Sequence, residues 1–106
     1  MAKYLLKVSY TQAGLKGVMK EGGTSRRTVV EKLAANMGGT LESFYFAFGE
    51  HDVYVIADFP SNVDVAAVAM NVGAAGAASV QTTVLLSPEE VDEATQKMVE
   101  YRAPGS

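Results

Sequence analysis

The chain has 106 residues, 48% of them hydrophobic and 20% charged, with a formal charge of −3, which describes one folded domain and excludes a disordered chain. It contains no cysteine, which excludes disulfides, thiolate chemistry and thiol-rich metal sites. Its nine basic residues form no stripe, and no apolar run reaches the roughly 20 residues of a bilayer span, so neither nucleic acid nor membrane is an expected partner.

Residues 3–10 alternate as a strand, with Tyr4, Leu6, Val8 and Tyr10 on one face. Leu15, Val18 and Met19 follow at helical spacing until Gly22-Gly23 interrupts them. Thr24 or Ser25 is the expected cap of a second helical run over 25–37, where Val29, Val30, Leu33, Ala34 and Met37 recur at intervals of three and four. Gly38-Gly39 ends it. Residues 40–48 and 52–59 are aromatic and β-branched, and the polar loop Gly49-Glu50-His51 joins them as a hairpin. Pro60 stops the second strand, Asn62 is the expected cap of a helix over 63–76, and 79–86 reads as a fourth strand. Ser87-Pro88-Glu89-Glu90 carries a capping box, predicting a last helix over 88–102 and a frayed tail over 103–106.

The order β-α-β-β-α-β plus a terminal helix predicts a single α+β domain over 1–106, of the ferredoxin-like kind, with a four-stranded antiparallel sheet and helices on one face. With Met1-Ala2-Lys3 leading straight into a strand rather than a leader peptide, the expected location is the cytoplasm. Neither face of the sheet reads as fully polar: Phe44, Phe46 and Phe48 fall opposite Leu41 and Tyr45, and Tyr54 and Ile56 fall opposite Val53 and Val55. The segment 63–76 is apolar around its circumference, apart from Asp64 and Asn71. Both features predict a homo-oligomer that covers the sheet face and this helix with copies of itself.

Gly49-Glu50-His51-Asp52-Val53-Tyr54-Val55-Ile56, with Asp58 and Pro60 after it, resembles the signature of the GYD-domain proteins. So do Gly73-Ala74-Ala75-Gly76 and Val80-Gln81-Thr82-Thr83-Val84-Leu85. The resemblance runs over residues 3–87 and leaves the final helix outside; His51 stands where the family commonly has tyrosine. It implies small bacterial proteins of the dimeric α+β-barrel group, with no established general activity; no cofactor is expected.

Gly22-Gly23-Thr24-Ser25-Arg26-Arg27 leads glycines, hydroxyls and two guanidinium groups into a helix start, and so either holds a carboxylate or phosphate or is a kinked helix with solvated arginines. The triplet Glu50, His51, Asp52 is either a proton-sharing or metal-binding group or a turn whose side chains satisfy backbone groups; a lone histidine argues against a metal. Tyr4, Tyr10, Tyr45 and Tyr54 are candidates to line a cavity, or core tyrosines served by Thr82, Thr83 or Ser43. The candidate ligand-binding set is therefore Arg26, Arg27, Tyr45, His51 and Tyr54, with no assigned catalytic residue. Expected roles are a homo-oligomer for assembly or for binding a small anionic or aromatic molecule, or alternatively a cofactor-independent isomerase, cyclase or oxygenase acting on a small hydrophobic or aromatic compound. A ring that binds an anionic metabolite through Arg26 and Arg27 is a third.

Overall fold

The computed structural model describes residues 1–106. Its elements run β1 (Ala2–Tyr10), α1 (Gln12–Glu21), α2 (Gly23–Asn36), β2 (Thr40–Phe46), β3 (Val53–Phe59), α3 (Asn62–Ala74), β4 (Ala78–Leu85) and α4 (Pro88–Thr95). The strands order as β2-β3-β1-β4, and every neighbouring pair is antiparallel. This is the expected ferredoxin-like α+β sheet: two helix-linked strand pairs interleave, so β3 lies between β1 and β2.

Alternation decides which side chains enter the core. Tyr4 and Leu6 of β1, and Val53, Val55, Ala57 and Phe59 of β3, point to the helices and are buried. Ala34 of α2 and Val65 and Val68 of α3 close over them. At the start of α3, Ser61 rather than Asn62 is the cap, because its extended backbone lets Oγ accept from the Asp64 amide. Asn62 is thereby left free to accept a hydrogen bond from the buried Tyr4 hydroxyl, the partner that the strand threonines and Ser43 were expected to supply.

Three further expectations are corrected. The second helical run starts at Gly23, with Gly22 at φ 89 and no side-chain cap; Thr24 and Ser25 lie inside the first turn, and Ser25 Oγ donates to Glu21 Oε1 at 2.8 Å. A bulge between Leu41 and Ser43 turns Leu41 to the helix side, together with Phe44 and Phe46, since Leu41 pairs with Ala57, Phe44 with Val55 and Phe46 with Val53. The open face carries Leu5, Ile56, Leu85, Tyr45 and Tyr54 among Lys7, Gln81 and Thr83. Lys3 bridges Glu42 at 2.8 Å and Asp58 at 3.3 Å there.

The last helix stops at Thr95 instead of Arg102. Residues 88–106 are exposed throughout, and a short helix with nothing to pack against is marginal in water. The extents of 57 × 32 × 23 Å and the radius of gyration of 16.9 Å exceed the about 13 Å of a compact chain of this length, because this arm projects from the body. No helix is long and apolar enough to cross a membrane.

Candidate functional site

In α2, Arg26, Val29, Val30 and Leu33 follow one another at i, i+3, i+4 and i+7, so the arginine shares the helix's apolar, sheet-facing side. Together with Val68 and Val72 of α3 and the inner side chains of β1, β2 and β3, they enclose a cavity of about 90 Å³. Arg26 is the only charged residue lining it. With 30% of its side chain exposed, Arg26 connects the cavity to solvent. Tyr10, the end of the Tyr4-Leu6-Val8 alternation, lines the same space. Burial pushes the Tyr10 phenol above its ordinary range, and the Arg26 guanidinium beside it acts in the opposite direction.

Arg26 also faces Glu21, at 3.7 Å. That separation is an ion pair but not a hydrogen bond, and the Glu21 carboxylate accepts instead from Ser25. The guanidinium thus stands between Glu21 and the Tyr10 phenol, and a ligand's anionic head would share it with them. The start of α2, for which the sequence left an anion site and a kinked helix with solvated arginines both open, has a carboxylate of its own chain beside it.

The structure separates the expected binding set. Arg27 points to the β2 edge, 3.7 Å from Glu31 and beside Tyr45. Tyr45 and Tyr54 are cross-strand partners on the open sheet face. His51 joins them there: its ring meets Tyr54 edge-on at 5.9 Å and is only 7% exposed. Of the five candidates, only Arg26 reaches the cavity. Tyr10, its companion, was missed as a specific pair; the signal was the strand alternation that carries it to the same layer as Leu6 and Val8.

His51 Nδ1 lies 3.1 Å from Ser9 Oγ, and Nε2 lies 3.9 Å from the exposed Glu50. No serine could be singled out for His51 from sequence; strand pairing identifies Ser9. Neither Ser9 nor His51 lines the apolar cavity. Asp52 has a structural task. Its amide donates to Val8 O at 2.8 Å, and its carboxylate accepts from the Tyr10 amide at 2.7 Å, so it extends the β1–β3 ladder past the last paired residue. Asp52→Ala is expected to lower unfolding free energy by about 1–3 kcal/mol, the cost of orphaning an amide that had a charged acceptor; urea denaturation measures it.

No curated protein and no solved structure matches the chain. The family model described as GYD domain matches residues 4–95, which takes in α4 as well as the sheet and its helices. On that match, spanning nearly all of its length, the chain belongs to the GYD-domain family.

Proposed function

We propose that this protein binds a small molecule with a short apolar body and an anionic head, and that it does so as a homo-oligomer without catalysis of its own. The carrying observation is the 90 Å³ apolar cavity with Arg26 as its single charged lining residue. At about 30 Å³ for each water-sized group, such a space holds roughly three of them, the bulk of a short alkyl chain. An apolar cavity stays dry when empty, so an apolar body gains contact without displacing bound water. Arg26 then takes the carboxylate or phosphate in a charge-assisted, bidentate pair. Assembly is supported by Val63 and Met70, which α3 leaves exposed, and by Leu5 and Ile56 at the centre of the open face.

The enzyme reading draws support from one feature, the Ser9–His51 contact, but that pair stands apart from the cavity that would hold an apolar substrate. Binding is therefore the function the geometry supports best.

Thermal unfolding with butyrate and with butan-1-ol tests it. Butyrate is expected to raise Tm more than the alcohol does, and Arg26→Gln to abolish the difference with a loss of affinity of about tenfold or more. Equal shifts for acid and alcohol, or an unchanged butyrate shift in Arg26→Gln, would overturn the proposal.

A further inference from the structure

We infer that the C-terminal arm of one copy, residues 88–102, docks as a continuous helix in the groove between α1 and the end of β2 of a second copy. This rests on the proposal that copies assemble, and adds the contact by which they do so.

The arm carries an unused apolar stripe. Val91, Ala94, Met98 and Tyr101 are spaced by three, four and three residues, one face of a helix. Val91, Met98 and Tyr101 are all exposed, Met98 at 97%. Residues 96–102 contain neither glycine nor proline, so nothing in their backbone forbids the helix; Pro104 and Gly105 come after it. They lack only a surface to pack on.

The body carries an unused apolar groove. Leu15, Val18 and Met19 of α1, with Phe46 at the end of β2, Phe48 beyond it and Tyr10 beneath, line an open space of about 550 Å³. Phe48 is fully exposed and Met19 is 81% exposed. Lengths match: the ten residues of α1 and the rise from Val91 to Tyr101 each measure about 15 Å. Charges match as well. Over 88–102 the arm holds five acids, Glu89, Glu90, Asp92, Glu93 and Glu100, against Lys97 and Arg102, whereas α1 holds Lys16 and Lys20 against Glu21, with Asp52 on the groove wall.

Strand register excludes the arm's own groove. Leu85 pairs with Lys3 and Ala78 with Tyr10, so α4 leaves the sheet at the end opposite the groove. Those ends are seven β1 residues apart, about 23 Å. Leu86 and Ser87 reach at most about 10 Å, and the first turn of helix up to Val91 adds about 6 Å. Val91 thus falls short of its own groove, and the whole stripe can seat only in another molecule. Because Tyr10 lines both groove and ligand cavity, the docked arm would cover one wall of the partner's binding site.

The absence of native cysteine makes the test direct. Met98→Cys and Met19→Cys proteins are mixed and oxidised, and the disulfide-linked dimer is followed on non-reducing gels against a Met98→Cys plus Lys32→Cys mixture, Lys32 being exposed on α2. The 98–19 dimer is expected to form about tenfold faster or more, because docking raises the local thiol concentration. Equal rates, with the unaltered chain still sedimenting as an oligomer, would overturn the docking but leave assembly standing. A monomer at about 100 μM, a concentration that fills any site of micromolar affinity, would overturn both; the butyrate experiment is decided separately.

Discussion

Gly14→Ala is expected to cost about 3 kcal/mol or more, while the same substitution three residues later, Gly17→Ala, is expected to stabilise by about 0.5–1 kcal/mol. Both glycines lie within α1, Gly14 in its first turn and Gly17 at its middle, so propensity alone predicts a gain at each. The difference is what surrounds them. A β-carbon at position 14 would overlap the Ala77 carbonyl oxygen and sit 2.9 Å from its carbon, whereas position 17 meets nothing within 4 Å. The obstruction is backbone, and it is held. Thr11 donates its amide to Ala77 O at 2.9 Å and its hydroxyl to Gly76 O at 2.9 Å, while its Oγ1 caps α1 by accepting from Gly14. Relief of the overlap must break this clamp between the start of α1 and the turn into β4. Urea midpoints of the two variants are expected to move in opposite directions from the parent.

Phe59→Ala is expected to lose about 3–5 kcal/mol, a large share of the stability of a domain this size. Phe59 is 1% exposed and its ring lies 6.1 Å from that of Tyr4, the other large fully buried side chain. It also fills the space against Gly39, where the chain enters β2 so close to Asp58 and Phe59 that only hydrogen fits on the α-carbon. Truncation leaves a void beside a residue already adjoining a cavity, with the sheet on one side preventing collapse. Phe59→Leu, which keeps most of the volume, is expected to cost about 1.5 kcal/mol or less. Calorimetric unfolding of the pair separates lost volume from a general intolerance of change.

The hydrophobic rhythm made the four strands and three body helices legible because each element answers to its own neighbours in the chain. Val53, Val55, Ala57 and Phe59 had to share a face whatever lay above them. Gly22-Gly23 had to interrupt the helical layer, and Ser87-Pro88-Glu89-Glu90 had to start a helix. The departures are of another kind. One bulge residue in β2 moved Leu41 across the sheet to the helix side. Ser61 displaced Asn62 as a cap because a tyrosine 58 positions away in the chain needed that amide.

The candidate site shows the same division. Arg26 was evident from sequence as a cation on a helix start, and its place among Val29, Val30 and Leu33 on one helix face was already written in their spacing. Its meaning was not. Only the pairing of β1 with β3 and the approach of α2 and α3 enclosed an apolar space next to it, brought Tyr10 to the same wall, and sent Arg27, Tyr45, His51 and Tyr54 elsewhere.

By itself the amino-acid order determined the elements and their amphipathic faces, since these follow from periodicity and turn chemistry within a few residues. Tertiary structure alone decided which polar side chains meet, where the interior stays empty and which apolar surfaces remain uncovered, because those depend on contacts between residues that only packing brings together.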